Sequence, residues 1–394
     1  PLWSVGGSWN IYKEKFFQAD FVDMLKLRAS YGIGGNIGRN TAPYLIASYY
    51  DSSLVDGMAG SVNTPPNKDI RWEKTTTVNV GVDFALFRHR LSGTIEYYNK
   101  YSVDLLAAIN GSPTQGFGYT TLMTNNGKMV NRGVEITLSG EIIRQKDFSW
   151  NASLLYAFNR NKVKHISVQP SLWDSRISMP TSYPMVGKPL YGIYAYKWAG
   201  LNENGDPQVY DAENNVTSGP ARDYHALVYC GTTVPIHNAS LTNVLRYKGF
   251  EFSAMLILDA GHKLRSSNIP SINMSNGRIT STAKGIVDRW TQPGDVTDVP
   301  RLLFSNDTEN FNTHRTELYR YSDLFVYDAS NIRLSNISLA YRVPAHWCKK
   351  ISLSGARLQF NVENVATFAF DSKANYDLGG KVKPNYVWGL YLNF

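Results

Sequence analysis

The 394 residues include 43% hydrophobic and 13% aromatic side chains, with 25 Tyr and 9 Trp, so the chain can bury a large apolar surface. No run reaches the roughly eighteen consecutive apolar residues of a membrane-spanning helix, since the richest, Ala254 to Leu258, stops at Asp259. A net charge of +8, from 40 Lys+Arg against 32 Asp+Glu, is scattered along the chain. That pattern argues against a nucleic-acid tail or polybasic anchor and points to no acidic partner.

The first predicted strand alternates Trp3, Val5, Trp9 and Ile11 with Ser4, Gly6, Ser8 and Asn10. After a charged turn at Lys13, Glu14 and Lys15, Leu25, Leu27, Ala29, Tyr31 and Ile33 mark a second strand. Its polar face ends in Gly32 and Gly34, which form a glycine cluster with Gly35 and Gly38. These are out of register for a phosphate cradle and are read as a strand running into a loop. A long loop, 35 to 69, leads to the clearest hairpin of the chain, Thr75 to Val103. Val78, Val80, Val82, Phe84 and Leu86 share one face, the turn falls at Phe87, Arg88 and His89, and Leu91, Gly93, Ile95 and Tyr97 lead the return strand.

Leu106 to Met129 is expected as another loop. Strands follow at Val134 to Ser139 and, beyond a turn at Arg144 to Asp147, at Phe148 to Asn159. The segment from Val163 to Asn238 is the least regular and holds Tyr191 to Leu201 as a strand of its own. A hairpin, Leu241 to Leu245 and Phe250 to Leu258, turns at Tyr247-Lys248-Gly249, and a very long loop from Ala260 to Asn331 comes next. Strands Ile332 to Tyr341 and Ile351 to Val362 flank Pro344. Their alternation shifts at Leu334 to Ile337 and at Leu353 to Leu358, as at β-bulges. The last strand aligns Tyr386, Trp388, Leu390, Leu392 and Phe394.

Long and short connections alternate, as in an outer-membrane barrel with short turns on one side and long loops on the other. Counting back from Phe394 with the terminus on the short-turn side works only if Tyr191 to Leu201 stays outside the membrane. About eleven spanning strands then remain, with the chain beginning outside. The predicted fold is all-β, an antiparallel transmembrane β-barrel contributing about eleven strands, with long extracellular loops. An open sheet in lipid would leave on the order of ten unpaired backbone groups per edge at a few kcal/mol each. Further strands are therefore expected from another chain or from residues outside this sequence. Because no signal peptide is visible and Pro1-Leu2-Trp3 opens in mid-strand, sequence upstream is expected as well. Cys230 falls outside and Cys348 inside, so they are not expected to bond.

Several segments resemble the SusC/RagA family of TonB-dependent outer-membrane transporters of Bacteroidetes, and specifically its C-terminal half. They are LKLRASYGIGGN (25–36), DIRWEKTTTVNVGVDFALFRHRLSGTIEYYNKYSVDLL (69–106), NGKMVNRGVEITL (126–138), GKPLYGIYAYKWAG (187–200), RWTQPGDVTDVPR (289–301), 331–344 and the ending YVWGLYLNF. The resemblance implies a barrel of about 22 strands, with residues 1–394 as its C-terminal part. It also implies a plug domain and N-terminal strands beyond this chain, coupling to TonB-ExbB-ExbD, and a SusD-like surface lipoprotein. The implied function is active import of oligosaccharides or oligopeptides. Trp388, Leu390, Leu392 and Phe394 resemble the barrel-assembly signal.

Loop aromatics suit a sugar or peptide site, and the candidates are Tyr50, Trp173, Tyr183, Tyr210 and Trp290, with Tyr49 and Phe311 beside them. Trp150, Tyr156 and Trp388 read as girdle residues facing outer-membrane lipid. Asn202-Glu203-Asn204-Gly205-Asp206, followed by Asp211 and Glu213, offers oxygen ligands for calcium but lacks the EF-hand order, and an Asn-Gly turn is the simpler reading. Seven scattered histidines and two cysteines give no metal-ligand spacing, and no nucleophile or acid-base pair suggests an enzyme. The contrasting functional reading is a surface-binding or structural barrel that does not import.

Overall fold

The computed structural model describes residues 2–38, 43–51, 57–110, 114, 121–168, 170, 174–219, 223–274, 282–304, 313–379 and 383–394. β1 (Trp3–Asn10) pairs with β2 (Val22–Asn36), and β3 (Ile46–Asp51) with β4 (Met58–Thr64) forms a separate hairpin in the first long connection. β5 (Glu73–Leu86), β6 (Leu91–Asn110), β7 (Thr121–Arg144) and β8 (Phe148–His165) continue the main sheet. The chain then leaves it through α1 (Ser175–Ser178) and the short strands β9 (Gly192–Tyr196), β10 (Trp198–Leu201), β11 (Pro207–Tyr210), β12 (Val216–Thr217) and β13 (Leu227–Thr232). It returns as β14 (His237–Tyr247) and β15 (Phe250–Ala260) and departs again through β16 (Lys263–Arg265), β17 (Asn273–Met274), β18 (Leu303–Phe304), α2 (Thr313–Arg320) and β19 (Val326–Asp328). β20 (Asn331–Arg342), α3 (Ala345–Lys349), β21 (Gly355–Ala369), α4 (Asn375–Leu378) and β22 (Asn385–Asn393) close the chain.

The main sheet has eleven strands in the order β1-β2-β5-β6-β7-β8-β14-β15-β20-β21-β22, each antiparallel to its neighbours. They are the eleven that alternation predicts, and Tyr191 to Leu201 lies outside the sheet as expected. Register explains the two faces. One row across the sheet reads Trp9, Leu27, Val82, Ile95, Ile136, Tyr156, Ala239, Leu258, Ile332 and Phe368. The adjacent row reads Ser8, Arg28, Gly81, Glu96, Glu135, Ala157, Asn238, Asp259, Asn331 and Ala369. With a side-chain period of two, a slip of one residue would exchange these rows, so the pattern fixes the pairing.

Short connections gather at one end of the sheet, at 87–90, 145–147 and 248–249, with 11–21 and 343–354 somewhat longer. The long connections gather at the other. Asn393 pairs with Gly355, which brings the C-terminus to the short-turn end. Both cysteines are free, with Cys230 on β13 at the long-loop end and Cys348 in α3 at the other.

Two expectations need correction. Residues 106–110 and 121–129 are strand, because β6 and β7 run for 20 and 24 residues, about twice what a tilted strand needs to cross a bilayer. Register shifts between Ser102 and Leu105 interrupt the alternation there, and the consecutive Leu105, Leu106, Ala107, Ala108 and Ile109 hide the strand in the sequence. The penultimate strand begins at Gly355, not Ile351, and pairs with β22 without a register shift from Gly355 to Glu363, so the bulge expected at Leu353 to Leu358 is absent. Leu353 is buried in the turn after α3, where its N–H donates to the Cys348 carbonyl. The other expected bulge is present, with Ser335 the extra residue against β15, while Asn364 at φ 53° marks a bulge in β21.

The hairpin turn at 87–90 holds three successive L-residues at positive φ, Phe87 at 57°, Arg88 at 59° and His89 at 59°. Neighbours hold it there: Phe87 N–H donates to the Phe21 carbonyl, His89 N–H to Asp23, and the Phe21 and Phe87 rings stack at 5.8 Å. Left-handed backbone costs an L-residue about 1–2 kcal/mol. Arg88→Gly should therefore be neutral or stabilise by up to about 1 kcal/mol, and Arg88→Val should destabilise by about 1–2 kcal/mol. The urea midpoint of the folded barrel is the readout.

Candidate functional site: the polar wall and its loop cap

Charged groups on the polar face are paired across strands. Arg28 on β2 reaches Asp83 on β5 at 3.2 Å and Glu96 on β6 at 2.7 Å. Asn79 donates to the same Glu96, and Thr94 to Asp83 at 3.0 Å. Toward the long-loop end, Asp259 accepts from Asn238 at 2.7 Å and Arg333 at 2.8 Å. Toward the short-turn end, Glu251 takes Arg246 at 2.7 Å and Arg357 at 3.0 Å. Gly133 leaves room for Tyr98, its cross-strand partner, whose buried hydroxyl accepts from Asn159. A Cβ at 133 would overlap the Tyr98 ring and the Phe158 carbonyl.

The packed core lies in the loop cap, not in the wall. Tyr194 and Tyr196 of β9, Val209 of β11, Ala226, Leu227 of β13 and Leu318 of α2 form one buried cluster. Ile272, Tyr319 and Phe325 form a second, and Trp198 packs against both. Burial pushes the Tyr196 and Tyr319 hydroxyls well above the ordinary tyrosine range, and pushes the Cys230 thiol up to about 11.

Polar anchors tie the cap's distant segments together. Arg315 of α2, almost fully buried, donates to Asp206 at 2.6 Å, to Asn273 at 2.6 Å and to the Arg301 carbonyl at 2.8 Å. Arg301 adds two bonds to Asp206, at 3.1 and 2.8 Å. Burial draws the Arg315 guanidinium below its ordinary value, and Asp206 opposes that shift. Arg265 similarly donates to the carbonyls of Tyr194, Arg320 and Ser322.

The model of the TonB dependent receptor-like beta-barrel family matches residues 1–365. The chain belongs to this family. TonB-dependent receptor P3 of Formosa agariphila is 26% identical, over 97% of this chain and 39% of the relative. TonB-dependent receptor SusC of Bacteroides thetaiotaomicron is 26% identical, over 92% and 36%. Among solved structures, the RagAB peptide transporter shares the fold at a TM-score of 0.78 and 24% identity, over 99% of this chain and 43% of that one. The chain thus spans about two fifths of the length of these relatives.

As a TonB-dependent receptor barrel, the sheet is outer-membrane wall, its apolar face toward lipid and its polar face toward the lumen. The girdle residues sit accordingly. Trp150 donates its ring N–H to Asn243 on the same outward face at 3.0 Å, and Tyr156 meets His237 at 2.9 Å. Trp388, Leu390, Leu392 and Phe394 are exposed, the first packed on Phe360 with ring centroids 4.2 Å apart.

The predicted loop aromatics are dispersed over the receptor cap. Tyr49 and Tyr50 are exposed on β3, and Tyr183 is buried. Tyr210 lies under the Lys197 ammonium at 4.6 Å, and Trp290 packs against the backbone of Gly205. Trp173 and Phe311 lie outside the described residues. The calcium candidate is an Asn-Gly turn. Asn202 Oδ1 accepts the N–H groups of Asn204 and Asp206, Gly205 has φ +74°, and both guanidinium groups occupy the Asp206 carboxylate. Arg265 and Arg315, which organise the cap with Arg301, went unnoticed in the sequence, and Arg301 was quoted only as the end of RWTQPGDVTDVPR, with no role attached.

Removing Asp206 would leave Arg315 charged and buried without its carboxylate. Breaking such a pair costs about 3–5 kcal/mol. Asp206→Ala should open the cap to limited proteolysis while the heat-resistant barrel band persists. Equal protease resistance of variant and wild type would remove the anchor role from Asp206.

Proposed function

We propose that the chain is the C-terminal barrel wall of a SusC-like importer that carries oligosaccharides or oligopeptides across the bacterial outer membrane. The supporting observation is an eleven-stranded sheet, apolar outside and polar inside, with one free edge at β1 and another at β22. In hydrocarbon those edges would cost tens of kcal/mol, against a whole-protein stability of about 5–15 kcal/mol. Further strands therefore pair with β1 and β22 to close the lumen. A plug fills it, TonB-ExbB-ExbD supplies the energy that displaces the plug, and a SusD-like lipoprotein covers the loop cap. Tyr50, Trp173, Tyr210 and Trp290 are the candidate contacts to substrate or lid, and Tyr183 supports them from within the cap. The wall has no catalytic duty. The assembly-signal role of the last strand also belongs to this reading, because Phe394 and Trp388 stand exposed at 91% and 78%.

Denaturing mass spectrometry of the native detergent-extracted particle tests the architecture. The expected result is this wall within a much heavier chain, or beside one carrying the plug, together with a lipoprotein. A stable 44.2 kDa chain alone would overturn it. Uptake of labelled oligopeptides and oligosaccharides then tests the mechanism, with import expected in wild-type cells and abolished without TonB. Ligand capture without any TonB-dependent uptake would favour a surface-binding barrel instead.

A further inference from the structure

A cavity of about 590 Å³ opens where the wall leaves the membrane at the long-loop end. It lies against β7 and β8 and is roofed by 187–189 and 232–236. Five cations, Arg132, Arg160, Lys162, Lys164 and Lys188, line it, and no carboxylate does. None of the five joins the ion pairs of the described residues. Arg132 donates to Asn99 at 2.9 Å, and the Lys188 ammonium stands 4.8 Å above the Tyr229 ring.

The strand register fixes which way this cluster faces. Val134 pairs with Phe158, Arg132 with Arg160 and Val130 with Lys162, so Arg132, Arg160 and Lys162 continue the lipid-facing side upward. From Trp150 to Phe158 a strand tilted by about 40° climbs roughly 20 Å, most of the apolar band of about 25 Å. Arg160 and Lys162 therefore sit at the outer-leaflet headgroup level. Like charges directly opposite each other weaken a sheet, and Arg132 with Arg160 is such a pair, so the arrangement calls for a polyanion between them. The apolar part of the lining, Val130, Phe158, Pro235 and Ile236, faces the hydrocarbon of an amphiphile, not a small hydrated ion.

We propose that this cleft holds the phosphate groups of a phosphorylated glycolipid of the outer leaflet. Arg132 and Arg160 grip one phosphate as planar donors, and Lys162, Lys164 and Lys188 add point charges around it. The site is independent of the import reading, because it needs only the wall's orientation in the outer membrane.

The test uses the whole detergent-extracted barrel, delipidated and titrated with bis-phosphorylated lipid A, dephosphorylated lipid A and inorganic phosphate, with binding read by native mass spectrometry. Lipid A should bind, the dephosphorylated form at least tenfold more weakly, and added salt should weaken the complex. The triple variant R160Q/K162Q/K164Q should lose on the order of 100-fold in affinity, at about fivefold per surface cation. Should the triple variant fail to assemble, R160Q and K164Q, both at exposed positions, should each lose about fivefold. Equal lipid A affinity for variant and wild type would overturn the proposal. Inorganic phosphate binding as tightly as lipid A would overturn it too, by making the cleft a site for a free anion.

Discussion

The constraint on which everything else depends is that a backbone in hydrocarbon must satisfy its own hydrogen bonds. It accounts for the sheet order, in which each wall strand lies beside the wall strands before and after it in sequence. It also accounts for where irregular backbone is found. Helical turns, short crossed strands and long connections are all placed beyond the ends of the wall, where water or the cap's own polar groups complete the bonding. Bulges such as those at Ser335 and Asn364 are tolerated within the wall. Each shifts the register by one residue without ending the ladder.

A second consequence is the inversion of the usual burial pattern. The wall strands turn their large apolar side chains outward, so Trp388 and Leu390 are left uncovered by protein and are covered by lipid instead. Within the membrane span charge is kept on the other face and neutralised locally, with Arg28 shared between Asp83 and Glu96 across three strands. These pairs are partly solvated and add little to stability individually. Their effect is to place a charge on the wrong face if a strand slips, which makes registry costly to lose.

What the sequence revealed follows from how local each signal is. Alternation is a property of neighbours, so Val78 to Leu86 and Phe148 to Phe158 could be read directly, and the eleven-strand count came out correctly. The upper parts of β6 and β7 could not, because above the membrane no solvent contrast enforces alternation and Leu105 to Ile109 are apolar without period. The turn before β21 misled for the opposite reason, since Ile351 and Leu353 alternate by chance while packing a bend. The candidate site was less legible still. Asp206 meets Arg301 and Arg315 across 95 and 109 residues, a contact that no spacing rule encodes. Aromatic loop residues carry no mark that separates Tyr183, buried in the cap, from Tyr50, exposed on a hairpin.

Wall and cap therefore obey different physics within one chain. The wall has no core of its own and is held by ladder bonds and surrounding lipid. The cap folds in water around Tyr194, Tyr196, Val209 and Tyr319 and resembles a small soluble unit. Such a unit can afford a buried ion pair only if its donors are rigid and fully used, which is why the residue at 315 is arginine. Its fork serves Asp206, Asn273 and the Arg301 carbonyl at once, three acceptors from three segments. A lysine could not span them, and the segments would lose their common anchor. Loop sequence can thus diverge around this anchor without disturbing the wall, since the strands beneath are specified by a separate code.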